Sequence, residues 1–296
     1  MFDLRYHVTS LAAVFIALLI GILVGVALAS HGLGNSERKS LEDDIRRGQR
    51  SIDRLQSTVA SLQQARRADS MFVDNTYNAL MTDRLKGKRV AVLYVGSLDH
   101  GTQVDISTAI KDAGGGSASR VYAVQVPIDA AAIDRRLAKS AALAKYAGSD
   151  HLRELGQRLG RAFVNGGEMP VWSALHTVIV QEATPRFGAS RRPVDAVIVV
   201  RSADPQTGDS APFVKGLYEG LGKSGVPAVG VAQSKDDFTA KSVFQRAQLS
   251  TVDDVDLDAG KLALAIVLSQ PASRGDYGVN ASDLLPPVTP VLTPSG

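Results

Sequence analysis

Cysteine is absent from this chain of 296 residues, and that absence removes several classes of site together. Without thiols the protein forms no disulfide, has no thiolate nucleophile and builds no cysteine-based zinc site. Methionine is also scarce, with four residues scattered along the sequence. The linear sequence therefore offers no preformed cluster of soft metal ligands.

Aromatic residues and excess charge are scarce as well. Aromatic residues make up 5% of the chain, so the paired aromatic girdles of a membrane β-barrel have little material to draw on. The 33 basic and 30 acidic residues differ by only +3, too small a surplus for a phosphate-binding surface, so we expect no nucleic-acid partner. No metal-binding or catalytic spacing connects the five histidines, which are His7, His31, His100, His151 and His176.

The N-terminal region contains an uncharged stretch long enough to cross a membrane. As a helix, residues 8–30 would span about 35 Å, which exceeds a hydrocarbon core of about 30 Å. A cleaved signal peptide is the alternative, because Arg5 supplies a short basic region and Ala27-Leu28-Ala29 resembles a cleavage site. The apolar stretch before that site is about 19 residues, longer than the roughly 7 to 15 of a signal peptide. We expect an uncleaved anchor.

Small residues recur at every fourth position of this anchor and form one stripe along the helix. Such a stripe lets two membrane helices approach closely, although glycine and alanine are also common in membrane helices for other reasons. We interpret the stripe as a dimerisation surface whose central positions are Ala13, Ala17, Gly21 and Gly25.

Charge does not settle the orientation of the anchor. The segment after Ser30 is richer in basic residues than the N-terminal tail, and a strict count places the C-terminal side inside the cell. Large domains translocate largely regardless of charge, however. Charge and domain size therefore leave both orientations open.

A second amphipathic helix follows the anchor. From Ser36, apolar residues follow a 4-3 spacing that is typical of a parallel two-stranded coiled coil, with β-branched residues at a and leucine at d. Gly48 occupies one d position and weakens the seam, and the helix packing on its own globular domain is the alternative. The predicted dimer seam consists of Ile45, Ile52 and Val59 at a, and Leu55 and Leu62 at d.

The rest of the chain predicts an α/β domain. Two continuously apolar, β-branched runs at residues 89–95 and 121–128 flank a helix, and the pattern recurs at residues 195–200 and 227–231. Strands of this kind are buried on both faces, so we predict a Rossmann-like, mostly parallel sheet with helices on both faces. Residues 261–268 fit either a strand or a helix. The predicted organisation is a tail and anchor (1–35), a coiled-coil stalk (36–85), the α/β domain (86–270) and a proline-rich tail (271–296) that is disordered or extended.

Two loops of this domain are candidate sites. The first strand ends in Gly96-Ser97-Leu98-Asp99-His100-Gly101, which lacks the spacing of a nucleotide-binding loop and favours a plain strand-to-helix turn. Ser97 and His100 are the one close pair with hydrolase chemistry. Residues 250–258 are the densest acidic cluster, but alanine replaces both the glycine and the glutamate that a calcium loop requires, so we expect a solvated turn. We expect no enzymatic activity and no cofactor.

Several segments along the chain form a recognisable set. They are Leu4-Arg5-Tyr6-His7, residues 10–15, Gly25, the coiled coil, the Gly87-Lys88 entry to the first strand, residues 250–256 and Asp276-Tyr277-Gly278. Together they resemble the actinobacterial copper transporter family MctB. The resemblance implies an envelope protein whose C-terminal part lies outside the cytoplasm, with the outer membrane as one location, and a role in copper efflux. Copper enters only as the transported ion. A non-enzymatic dimeric adaptor in cell-wall assembly or division, which binds another envelope protein, is the alternative.

We predict that replacing both Ile52 and Leu55 by Asp separates a parallel homodimer, because two carboxylates in the seam would have to be buried against each other. The α/β domain should stay folded. Analytical ultracentrifugation should show monomers, whereas Ser57→Asp with Ser61→Asp, which lie outside the seam, should leave the dimer intact. A monomer before any substitution contradicts the prediction.

Overall fold

A computed structural model describes residues 4–31, 34–167, 169–184 and 192–288. The chain divides into two compact units, Met1–Met71 and Phe72–Gly296. Helix α1 covers Leu4–His31, and helix α2 covers Gly34–Met81. The last turns of α2, from Phe72 onward, belong to the second unit. Within α1, Thr9–Leu28 forms the one helix of the described residues that is long and apolar enough to cross a membrane. The predicted N-terminal apolar helix is confirmed.

The second unit alternates strands and helices along most of its length. Two short 3₁₀ turns, at Ala144–Tyr146 and Ser149–His151, precede helix α5. The elements in chain order are β1 (Val90–Val95), α3 (His100–Asp112), β2 (Arg120–Val124), α4 (Ala130–Leu137), α5 (Leu152–Asn165), α6 (Pro170–Ile179), β3 (Val180–Thr184), β4 (Ala196–Arg201), α7 (Ser210–Gly222), β5 (Ala228–Val231), α8 (Lys241–Arg246), β6 (Ser250–Val252), α9 (Asp258–Ser269) and β7 (Asp276–Tyr277).

The strands form one sheet in the order β3-β2-β1-β4-β5-β6-β7. Every neighbouring pair is parallel except β2 and β3, which are antiparallel. In β1, alternate residues enter different cores: Leu93 packs with α4 to α7, whereas Val92 and Tyr94 pack with α3 and α9. Both faces of the sheet are thus covered by helices, which explains the uninterrupted apolar strands. The predicted α/β architecture is confirmed.

For three segments, the structure adds to the prediction made from sequence. Residues 261–268 lie in helix α9, all of whose residues from Leu262 to Leu268 are buried. The end of α2, which was assigned to the stalk, contributes Tyr77 and Met81 to the core of the second unit. The tail after Gln270 is predicted to be disordered or extended, and its residues Asp276 and Tyr277 form the seventh strand, which pairs with β6. Residues 289–296 of that tail lie outside the described residues.

Helices α5 and α7 cross at unusually short range. Each carries a Gly-x-x-x-Gly pair, Gly156 and Gly160 in α5 and Gly216 and Gly220 in α7. A Cβ atom at any of the four would lie closer than 3.0 Å to backbone atoms of the facing helix. Backbone cannot move aside as a flexible side chain can, so the crossing depends on glycine at these positions. Sequence reasoning missed this spacing, although it is visible in the chain.

We predict that Gly216→Ala destabilises the second unit by about 1 to 3 kcal/mol, because the new methyl group overpacks against the Arg153 carbonyl. Urea unfolding followed by Trp172 fluorescence measures the loss, since this single tryptophan donates from its ring N–H to the Leu159 carbonyl of α5 at 2.9 Å. Gly48→Ala in α2, where no atom lies within 4 Å of the new Cβ, is the control. Equal stability of the Gly216→Ala protein and the wild type would contradict this account.

Candidate functional site

A crevice opens at the carboxyl ends of the central strands. Strands β1 and β4 are neighbours, and from them the chain proceeds outward to β2 on one side and β5 on the other. Open α/β sheets bind ligands at such a point, because the loops that leave the two strands diverge there. A cavity of about 390 Å³ occupies this position, and its wall includes Ser97, Asp99, Thr102, Arg201, Ser202, Gln233, Lys235, Asp236, Asp237 and Thr239.

The first wall of the crevice is the turn between β1 and α3. Gly96 has a φ of +110°, and a Cβ atom there would lie 2.8 Å from the Ser202 hydroxyl. The Ser202 hydroxyl donates to the Ser97 carbonyl and ties the loops after β1 and β4 together. Asp99 caps α3 by accepting a hydrogen bond from the Thr102 backbone N–H at 2.8 Å. Hydrogen bonds from the side chain and the backbone of Thr102 lower the pKa of Asp99. The segment is the strand-to-helix turn that its sequence predicts.

The loop after β5 forms the opposite wall. The Gln233 amide nitrogen donates to Asp105 of α3 at 2.6 Å, which joins this loop to the first wall. Ser234 donates from its backbone N–H and its hydroxyl to Asp256, at 2.6 and 2.7 Å. Burial alone would raise the pKa of Asp256, but these hydrogen bonds lower it. The crevice is thus a polar cleft whose walls are joined by hydrogen bonds, and such a cleft suits a small polar molecule.

The histidines whose side chains the structure describes are His100, His151 and His176, and they are not brought together. No hydrogen bond joins Ser97 to His100 in the part of the chain that the structure describes, so the one candidate nucleophile and base are not paired. His151 and His100 are exposed, and His176 contacts the Ser173 carbonyl at 2.9 Å within its own helix. The described residues contain no group of three or more His, Cys, Asp or Glu that could hold a metal ion.

The acidic segment 250–258 is not the solvated turn that its composition predicts. Residues 250–252 form the buried strand β6, and Asp253 and Asp254 are 2% and 0% exposed. The prediction was wrong because the count of carboxylates ignored the strand beside them, which carries both side chains into the domain. Sequence alone gave one usable signal, the apolar Val252 and Val255 that flank the pair.

The acidic segment and the Asp276-Tyr277-Gly278 segment lie against each other, 25 residues apart in the chain. The Thr251 hydroxyl donates to Asp276 at 2.6 Å, and the Asp253 amide donates to the Tyr277 carbonyl at 3.2 Å. Gly278 has a φ of +124°, and a Cβ atom there would collide with the Asp253 carboxylate. Glycine is therefore required at position 278, where the acidic segment and the Asp276-Tyr277-Gly278 segment meet.

Lys241 supplies the positive charge at this junction, and sequence reasoning did not find it. Its ammonium group lies 2.8 Å from Asp276 and 3.6 Å from Asp253, and it donates to the Asn280 carbonyl at 3.1 Å. One lysine in the first turn of α8 thus holds both segments. No spacing in the linear sequence connects residue 241 with residues 253 and 276.

Asp254 has no such partner. Neither carboxylate oxygen has a hydrogen bond of normal geometry to any described residue. Burial, followed by the nearby charges of Asp253 and Asp256, raises the pKa of Asp254 to about 6, and the backbone N–H of Val279 only partly opposes this. The group is a buried carboxyl that changes charge close to neutral pH.

A comparison with protein families matches nearly the whole chain. A family model described as copper transport outer membrane protein, MctB, matches residues 1–286. The chain belongs to the MctB family. Proteins named copper transporter MctB from Mycobacterium tuberculosis strain H37Rv and from Mycobacterium bovis are each 25% identical to this chain over an alignment 305 residues long. The alignment covers 94% of this chain and 95% of each relative. The N-terminal apolar helix together with this family indicates a membrane-anchored envelope protein.

Every residue of the predicted dimer surfaces is exposed in the single chain. In α1 these are Ala13, Ala17, Gly21 and Gly25, and no atom lies within 4 Å of a Cβ at either glycine. In α2 the a and d residues Ile45, Ile52, Leu55, Val59 and Leu62 are between 48% and 65% exposed. Apolar side chains in a regular row on a helix are normally covered. The coiled coil stays a prediction for the MctB-family chain.

We predict that Asp254→Asn stabilises the protein at neutral pH. Between about pH 4 and 6 the unfolded chain releases this proton before the folded protein does, so the wild type loses stability as the pH rises, by on the order of 2 to 3 kcal/mol. The variant lacks this proton and escapes the loss. Urea unfolding at about pH 4, 5, 6 and 7 measures the difference between the two proteins.

Asp237→Asn is the matched control, since it removes a carboxylate whose side chain is exposed. Its stability should follow that of the wild type throughout the range. A constant difference between the wild type and Asp254→Asn from about pH 4 to 7 would show that Asp254 does not titrate in this window.

Proposed function

We propose that this chain is a membrane-anchored envelope protein that takes part in copper efflux, with its globular unit outside the cytoplasm. The observation that carries the proposal is the extent of the family match, which begins at residue 1 and includes the apolar helix as well as the α/β domain. The relatives that bear the name copper transporter cover nearly all of the chain. A role in copper handling is therefore proposed for the whole protein and not for one module.

The ligand chemistry of the chain favours an indirect role. Copper(I) binds thiolate and thioether groups, and the sequence has no cysteine and four separated methionines. The carboxylates of the acidic junction are hard ligands and already contact Lys241. We infer that the protein contributes to copper efflux through assembly with another envelope protein and does not carry the ion itself, and we assign it no enzymatic activity.

Self-association would connect the anchor with this role. The row of apolar side chains on α2, which runs from Ile45 to Leu62, and the small residues of α1 are both arranged for a parallel homodimer. A homodimer formed in this way would present two copies of the crevice to a partner. Outer-membrane placement, as in the family description, is part of this proposal.

We predict that the purified full chain binds Cu(I) weakly, because no set of soft ligands is held together in the described structure. Competition with a Cu(I) chelator measures the affinity. In cells that lack the chain, the wild type should restore growth in elevated copper, and so should the protein with His100, His151 and His176 all changed to Ala. The Ile52→Asp, Leu55→Asp protein should fail to restore growth, because the assembly is lost.

Two outcomes would contradict different parts of the proposal. Tight stoichiometric Cu(I) binding that disappears in the triple histidine variant would make the protein a metal carrier and would reject the indirect role. Equal growth in copper with and without the chain, when immunoblotting shows normal amounts of protein, would reject the copper role altogether.

A further inference from the structure

A second cavity lies between helices α7 and α8. It shares only Arg201 with the lining of the crevice. Its volume is about 500 Å³, within the range of about 300 to 1,000 Å³ that small-molecule sites occupy. The wall on one side is Ala211 and Val214 of α7, and on the other Val243 and Ala247 at α8. These aliphatic surfaces suit a flat apolar body of aromatic size.

The charges around this cavity are mostly positive. Arg201, Lys215 and Arg246 all line it. Arg246 donates to the Ser242 carbonyl at 3.0 Å, and Arg201 donates to the Thr239 hydroxyl, so each guanidinium contacts a neutral oxygen there. Because a guanidinium has five N–H donors, both retain capacity for an anion.

The single carboxylate of the wall is already neutralised. Glu219 accepts from Arg153 at 2.6 and 3.0 Å and from the Gln157 amide at 2.8 Å. These contacts lower the pKa of Glu219, and the hydrogen bond from Arg153 has the largest effect. The charge of Lys215 lowers the pKa further. The cavity therefore presents net positive charge to a ligand.

One polar group in the wall lacks a partner. Tyr218 is fully buried, and its hydroxyl has no hydrogen bond to any described residue. Burial raises the pKa of Tyr218, so the hydroxyl keeps its proton and can donate, while the charge of Arg201 acts on the same group in the opposite direction. A buried hydroxyl without a partner costs free energy that a ligand oxygen would recover.

We propose that this cavity binds a small organic acid, a carboxylate attached to a flat apolar body. The carboxylate would accept hydrogen bonds from Arg201 and the Tyr218 hydroxyl, Lys215 and Arg246 would add charge, and the apolar body would lie between α7 and α8. Arg201 also lines the crevice at the end of β4, so occupation of the cavity reaches the edge of the crevice. The proposal is independent of copper chemistry.

Calorimetric titration of the full chain in lipid nanodiscs tests this, with empty nanodiscs as reference. The probes are 2-naphthoate and its uncharged analogue 2-naphthamide. We expect saturable binding of naphthoate and at least about tenfold weaker binding of the amide, since a hydrogen bond to a charged group is lost. Tyr218→Phe, which keeps the ring, and Arg201→Met should each weaken naphthoate binding about tenfold.

Lys223→Met is the matched control, because this exposed lysine at the end of α7 lies outside the cavity wall. It should change the affinity by less than about twofold. Arg246→Gln provides a second charge variant on the cavity wall if Arg201→Met fails to fold. No saturable binding of naphthoate at millimolar concentration, equal binding of acid and amide, or equal effects of Tyr218→Phe and Lys223→Met would each overturn the proposal.

Discussion

The burial of both faces of the central strands is the constraint on which the rest of the structure depends. Strands β1 and β4 are paired at the middle of the sheet, and their side chains enter two different cores. Such strands need helical layers on each side, and right-handed crossover connections then deliver the following loops to one edge. The position of the crevice follows from this arrangement, because the loops after β1, β4 and β5 meet at that edge. The polar walls are thus consequences of an apolar sheet.

Two regions of the domain depend on particular residues: the crossing of α5 and α7, and the junction of β6 and β7. The crossing of α5 and α7 requires glycine in both helices, and it positions Arg153 of α5 against Glu219 of α7. The junction of β6 and β7 places Asp253 and Asp276 beside Lys241, and it leaves Asp254 without a hydrogen bond of normal geometry to any described residue. The first depends on close packing and the second on charge balance, so they respond to different perturbations. The proposed organic-acid cavity is lined in part by α7 and shares Glu219, which contacts Arg153 of α5, with the crossing region.

The family description and the ligand chemistry of this chain point in different directions. The family description and the names of the relatives contain the word copper, yet this sequence has no cysteine and only four scattered methionines as soft ligands for Cu(I). An anchor, a helix with an exposed apolar row and an α/β domain with polar and basic clefts are features that suit assembly and ligand recognition. The proposed contribution to copper efflux through a partner would be consistent with both observations.

Sequence alone determined the classes of structure, because they follow from local patterns. Continuous β-branched runs predicted the buried parallel strands, the uncharged run of residues 8–30 predicted the apolar helix, and Asp99 after a strand predicted a turn that starts a helix. Tertiary structure alone decided which distant residues meet. Lys241 with Asp276, the glycines of α5 with those of α7, and the unpaired hydroxyl of Tyr218 depend on how elements pack across the sheet. Burial of Asp253 and Asp254 reversed the expectation from composition, since a carboxylate is exposed or buried according to its neighbours in space and not in sequence.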